Sequence, residues 1–117
     1  MKIGLTTQSK FPVCVDVEYV IFAMLLQAET VLVLISDDDE LPSWIPIELF
    51  QITDCRMDSS WLFQQFSNPG GIRALWGYAR LIQDDEHFDA LVERDPGALR
   101  VFYEEKHRMS VQSNAFK

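Results

Sequence analysis

Residues Val31-Leu32-Val33-Leu34-Ile35 form an unbroken apolar run that passes through Ser36 directly into Asp37-Asp38-Asp39-Glu40. A β-strand points alternate side chains to opposite faces, so five consecutive apolar residues leave neither face suited to water. The run therefore predicts a strand near the centre of its sheet. The four carboxylates that follow cannot enter an apolar core unpaired. They make a localised anionic site at the end of that strand.

The same bias runs through the whole chain, in which 18 Asp and Glu against 10 Lys and Arg leave a formal charge of −8. Such a chain suits a cationic partner and repels nucleic acid. At 117 residues it is long enough to bury one core without disulfides or metal, and too short for two. The expected organisation is one globular domain over residues 1–109, with a polar, aperiodic tail at 110–117. Gln27, Glu29 and Thr30 break the apolar stretch between residues 19 and 35 into pieces shorter than the roughly 20 residues of a bilayer span. The first residues turn polar by Gln8, too early for the apolar centre of a signal peptide. A cytoplasmic protein with no membrane association is the expectation. Cys14 and Cys55 stand in no metal or redox spacing and read as reduced thiols.

The first half of the chain reads as strands. Lys2 to Thr6 and the alternating Val13-Cys14-Val15-Asp16-Val17 fit short strands, separated by a turn at Ser9 to Pro12. Residues 17–28 are ambiguous: Ala23 to Gln27 are good helix formers, whereas Tyr19-Val20-Ile21-Phe22 favours a strand. A helix from Val17 to Ala28 is the reading adopted. Asp37 to Pro46 reads as a loop broken by two prolines, and Ile47 to Thr53 as a half-exposed strand.

The second half reads as helices. Asp58-Ser59-Ser60 would cap a short helix carrying Trp61, Leu62, Phe63 and Phe66, ended by Asn68-Pro69-Gly70-Gly71. Apolar residues at 72, 75, 76, 78, 79, 81 and 82 give Ile72 to Gln83 a helical period. A further helix opens at Asp84 or Asp85. Asp95-Pro96 makes an N-cap and first-turn pair for the last one, Gly97 to His107. Strands first and helices after predict an α+β fold, a small sheet from the N-terminal half packed against several helices from the C-terminal half.

No catalytic or metal-ligating constellation is found. His87 and His107 fit surface or capping positions, no His-x-Glu, His-x-x-x-His or Cys-x-x-Cys spacing occurs, and no cofactor is implied. Asn68 to Gly71 lacks the Lys and Ser or Thr of a phosphate-binding loop. The acidic run Asp37, Asp38, Asp39 and Glu40 is open to three readings: carboxylates for a metal-dependent enzyme, a patch that meets Lys and Arg of a partner protein, or a solvated loop. Asp84, Asp85 and Glu86 form a second cluster, whose placement in a helix's first turn also complements the macrodipole. Trp44, between Pro42 and Pro46 and next to the acidic run, is the aromatic best placed for an interface.

In size, acidity, aromatic content and clusters such as Asp37-Asp38-Asp39-Glu40, the chain resembles immunity proteins of bacterial polymorphic-toxin systems, including contact-dependent growth inhibition. The resemblance is one of profile and carries over no site residue. It implies a non-enzymatic protein that binds a cognate toxin domain, commonly a nuclease, in a one-to-one complex and covers its active site or substrate surface. The candidate partner-binding residues are then Asp37, Asp38, Asp39, Glu40, Trp44, Asp84, Asp85 and Glu86. The alternatives are a small metal-dependent enzyme using the strand-end carboxylates and an acidic adaptor that binds another basic protein.

Overall fold

The structure is a computed structural model that describes residues 2–5, 11–15, 17–67 and 71–115, with the backbone alone described at residue 5 and at 110–115. The described residues contain eight strands: β1 (Lys2–Leu5), β2 (Glu18–Val20), β3 (Ala23–Gln27), β4 (Thr30–Ser36), β5 (Pro42–Pro46), β6 (Phe50–Asp54), β7 (Leu62–Gln65) and β8 (Ile72–Gly77). Three helices follow: α1 (Ala79–Gln83), α2 (Asp85–Val92) and α3 (Pro96–Ala115). The strands form two antiparallel sheets, one of order β5-β4-β3-β8-β7 and a smaller one of order β2-β1-β6. The fold is α+β, with the helices in the C-terminal half.

The apolar run sits on β4, an interior strand of the larger sheet, and its two faces enter two different cores. Leu34 joins Ala23, Leu25 and Leu75 under the helices, against Tyr78, Leu81, Ile82, Leu91, Ala98 and Phe102. Val33 and Ile35 point the other way, into a second cluster with Ile45 and with Ile3, Tyr19 and Phe50 of the smaller sheet. The molecule is thus layered as helices, five-stranded sheet and three-stranded sheet. Phe22 and Phe102 meet edge to face at 5.1 Å between the helical layer and the sheet.

Two-sided burial also explains the first departure from the sequence reading. Residues 17–28 are not a helix but β2 and β3. Ala23 and Leu25 serve one core and Met24 packs against the other. Pairing of β3 with both β4 and β8 overrides the helix propensity of Ala-Met-Leu-Leu-Gln. Likewise the helical period at Ile72 to Gln83 belongs only to its end: Ile72–Gly77 is β8, and the chain turns helical at Ala79. Gly77 makes that strand possible, because a Cβ there would lie 2.7 Å from the Ala23 Cβ on the paired strand.

Three smaller corrections follow. Trp61 to Phe66 is not a helix; an Asp58 carboxylate that accepts from the Ser60 N–H at 2.8 Å forms a turn into β7. Pro42–Pro46, read as loop, is an edge strand, where the missing proline N–H groups do no harm. Ile47–Leu49 is a single 3-10 turn before β6. The alternation around Val13 survives in burial, with Val13 buried and Cys14 exposed, but amounts to an isolated bridge at Val15. The turn at residues 9 and 10, Asp16 and the break at 68–70 lie outside the described residues. The expected tail is helical backbone through Ala115. No helix among the described residues is long and apolar enough to cross a membrane.

The close approach at Gly77 gives a direct test of the register. Gly77→Ala is expected to destabilise the fold by about 1–3 kcal/mol through overpacking. Adding Ala23→Gly, which removes the opposing Cβ, is expected to recover part of that loss in urea melts. Strictly additive losses would refute the pairing.

Candidate functional site

The acidic run is a built loop rather than a floppy one. Asp37 is buried, and its carboxylate accepts hydrogen bonds from the Asp39 N–H at 2.9 Å, the Leu41 N–H at 3.1 Å and the Ser43 hydroxyl at 2.5 Å. Its backbone N–H donates to the Leu41 carbonyl and its own carbonyl accepts from the Glu40 N–H, both at 2.9 Å. One buried carboxylate thus closes the whole turn between β4 and β5. A buried anion is tolerated because every one of these donors faces it.

Asp38 fastens the loop to the N-terminal segment. Its Oδ1 accepts from the Tyr19 hydroxyl at 2.6 Å and its Oδ2 from the Cys14 thiol at 2.8 Å. The Cys14 N–H donates in turn to the Tyr19 oxygen at 2.8 Å, and the Asp38 N–H to the Pro12 carbonyl at 2.9 Å. The thiol and phenol donors hold the Asp38 carboxyl below its ordinary pKa. Conversely, burial and then the Asp38 hydrogen bond push Tyr19 up to about 12, and the same carboxylate raises the Cys14 thiol. Cys14 is therefore a protonated donor at neutral pH, and not an activated nucleophile.

Of the run, Asp39 and Glu40 alone present exposed carboxylates without a partner among the described residues. Glu40 adopts a left-handed backbone with φ +61°, unusual for a residue with a side chain. Its carbonyl accepts the Tyr103 hydroxyl of α3 at 2.6 Å. Lys106, one turn further along α3, donates to Ser36 at 3.0 Å. The acidic loop is thereby locked against the last helix.

That contact joins the loop to an open, shallow surface along one face of α3, made by Pro96, Leu99, Arg100, Tyr103, Glu104 and His107. The helix begins where Asp95 caps it, accepting from the Gly97 N–H at 3.0 Å, after a left-handed Arg94 with φ +58° ends α2. The Asp95 cap is legible in the sequence; the exposed face of α3 beside the acidic loop is not among the expected binding residues. Its signal was the i, i+4, i+8 spacing of Leu99, Tyr103 and His107, which puts the three on one face of a helix.

The second acidic cluster divides in the same way. The Asp84 carboxylate caps α2, accepting from the Glu86 N–H at 3.1 Å and the His87 N–H at 3.3 Å, and pairs with Arg80 at 3.0 Å. Those donors lower its pKa. Asp85 and Glu86 remain exposed in the first turn. Trp44 is half-buried on β5 and packs on Phe88 of α2 at 5.9 Å, which links this helix to the strand that follows the acidic loop. Asp37, Asp38 and Asp84 are therefore occupied in holding the fold, and Asp39, Glu40, Asp85 and Glu86 are the carboxylates turned outward.

The metal-dependent alternative needs carboxylates from other elements beside the acidic run. Among the described residues, Asp37 and Asp38 meet Ser43, Tyr19 and Cys14 instead, and no three His, Cys, Asp or Glu side chains are grouped to hold a metal ion. His87 also departs from the expected surface position. It is 5% exposed, and its Nε2 lies 2.8 Å from the buried Tyr78 hydroxyl. No protein-family model, curated protein or solved structure matches this chain.

Two predictions follow from these placements. Asp37→Ala is expected to cost about 1–3 kcal/mol, because it strands buried donors, whereas Asp39→Ala should stay within about 0.5 kcal/mol of the parent. Equal losses in urea melts would mean that Asp37 does not organise the loop. For His87, burial and then the Arg80 charge lower the pKa from its ordinary 6.5, against smaller opposing effects of Asp84 and Glu105. The unfolded chain therefore binds more protons below about pH 6.5, so this contribution to stability is present above that pH and is lost as pH falls through the folded pKa. His87→Gln is expected to flatten the melting temperature between about pH 7 and 5. An unchanged slope would place the pH dependence elsewhere.

Proposed function

We propose that this chain is a neutralising protein that binds a cationic protein domain through the Asp39-Glu40 loop and the adjoining exposed face of α3, as an immunity protein binds its toxin. The observation that carries this reading is the preorganised loop: Asp37 and the Tyr103 hydroxyl hold the backbone of Asp39 and Glu40 in place beside the exposed face of α3 that carries Leu99 and Tyr103. A backbone fixed before encounter loses little further entropy on binding, although the two carboxylate side chains it presents are themselves free. Leu99 and Tyr103 supply apolar contact area beside them. Glu104 extends the acidic side, while Arg100 and His107 give a partner carboxylate a place and so help to set the register.

The net charge of −8 supports the same reading, since long-range attraction accelerates encounter with a basic domain. A nuclease is the partner class that the charge fits best, because its phosphate-binding surface is cationic and carboxylates can stand where phosphates would. The expected setting is the cytoplasm, in a one-to-one complex. Asp85 and Glu86 contribute to steering from the neighbouring helix.

The experiment is capture of the partner by the tagged full chain from its native host, at low and high salt, followed by titration of the purified domain. A basic domain bound in near-equal amount, with affinity falling as salt rises, is the expected result. Asp39→Lys with Glu40→Lys should weaken binding at least about tenfold, equivalent to about 1.4 kcal/mol, with the melting temperature nearly unchanged. Affinity indifferent to both salt and charge reversal would sink the reading. Growth of cells expressing the captured domain, with and without this chain, then separates neutralisation from simple adaptor binding.

A further inference from the structure

Among the described residues the two sheets end in four edge strands, and three of them carry a barrier to further pairing. β5 begins and ends with proline, β2 bears Glu18, and β6 ends in Asp54, which is paired to Arg56 at 2.8 Å. Proline and charge are ordinary means of keeping an edge from pairing. β7, Leu62-Phe63-Gln64-Gln65, has neither. It lies in the longest uncharged stretch of this acidic chain, from Ser59 to Ile72. All four of its residues are exposed, Phe63 by 54% while stacked at 5.0 Å on Trp76 of β8.

The ladder shows which backbone groups are open. β7 pairs with β8 as Leu62↔Gly77, Phe63↔Trp76, Gln64↔Leu75 and Gln65↔Ala74, and the Phe66 N–H continues the same register by donating to the Arg73 carbonyl at 2.9 Å. In an antiparallel pair, residues alternate between facing the neighbour and facing away. Phe66, Gln64 and Leu62 face β8, so Phe63 and Gln65 turn their N–H and C=O groups outward. At the start of the strand the Trp61 N–H is already taken by the Asp58 carbonyl at 3.1 Å.

We infer that β7 is a self-association edge, at which a second copy of this chain pairs antiparallel and joins two five-stranded sheets into one. A two-fold axis normal to the sheet pairs residues that lie on the same face, and the register that matches the two outward residues to each other centres on Gln64 opposite Gln64. Phe63 then exchanges both backbone hydrogen bonds with Gln65 of the other copy, and Gln65 with its Phe63. Charge selects a second copy as the occupant. Two chains of −8 repel wherever their acidic surfaces meet, and this uncharged edge lets them approach without placing like charges opposite one another. A cationic partner gains nothing from an edge that has no carboxylate. The acidic loop lies at the far side of the sheet, between β4 and β5, so self-pairing leaves the proposed partner-binding face free.

The salt dependence is opposite in sign to that of the cationic partner: added salt screens the repulsion between copies and strengthens pairing. Analytical ultracentrifugation of the full chain, from micromolar to millimolar concentration at low and high salt, is expected to show mass rising from the 13.5 kDa monomer towards its double, and further at high salt. Gln65→Pro, which removes an outward N–H without touching the β8 ladder, and Phe63→Lys should each weaken association at least about tenfold. Amide exchange in the parent protein gives a readout independent of the variants: the Phe63 and Gln65 N–H groups should become protected as concentration rises, with Gln64 protected throughout. A monomer at every concentration overturns the inference, as does a dimer that survives both substitutions or leaves the Phe63 and Gln65 amides in fast exchange. Association that weakens with salt would also overturn it, and would point to a charged face.

Discussion

Everything in this fold depends on the need to cover both faces of one strand. Val33 and Ile35 point one way and Leu34 the other, and all three are fully buried. A sheet with helices on one face would satisfy Leu34 and leave Val33 and Ile35 in water, at roughly 1.5–3 kcal/mol for each. The chain solves this by folding its first strand, β2 and β6 into a second sheet that covers the opposite face. The helices then have only one core to complete, around Phe102 and Tyr78.

The same strand positions the candidate site. Its buried end brings Asp37 to the boundary of the core, where the carboxylate must find donors, and the donors nearest to hand are the backbone of its own turn and Ser43 on the returning strand. Satisfying one buried charge therefore orders the loop, and ordering the loop fixes Asp39 and Glu40. Tyr19 of the second sheet and Cys14 of the segment before it do the same for Asp38, and Tyr103 for Glu40 from α3. All three layers of the molecule meet at this turn. A run of four acids, which in isolation would be a repelling coil, becomes two structural carboxylates and two outward ones.

How far the sequence could be read follows from the range of the interactions involved. β4, the Asp84 and Asp95 caps and the helices they start were legible because their determinants are local: an apolar run, or an acid placed just before a helical period. Residues 17–28 and 72–77 were misread because their strand state comes from pairing with partners distant in the chain, which helix propensity at Ala23 to Gln27 does not report. Gly77 carried a hint, being a residue that is poor in a helix and needed wherever two strands pack too closely for a side chain. The acidic site was visible as charge. Its division into buried and exposed members was not, because nothing in Asp37-Asp38-Asp39 marks which carboxylate will meet Ser43 and which will meet Tyr19.

That division bears on how such a surface could change. Substituting Asp37 or Asp38 alters the scaffold, whereas Asp39, Glu40 and the α3 surface residues Leu99 and Glu104 can vary without stranding a buried donor. The proposed binding face is thus chemically separable from the frame that presents it. A protein that must match one partner closely benefits from this arrangement, since contact residues can be replaced while the turn, its left-handed Glu40 and its anchor on Tyr103 persist. The backbone carbonyl of residue 40, and not its side chain, makes the anchoring contact, so a different side chain there keeps the hydrogen bond. The left-handed backbone still restricts the choice: Asn, Asp or Gly fit φ near +61° more readily than β-branched residues, so variation at this position is bounded by conformation before it is bounded by the partner.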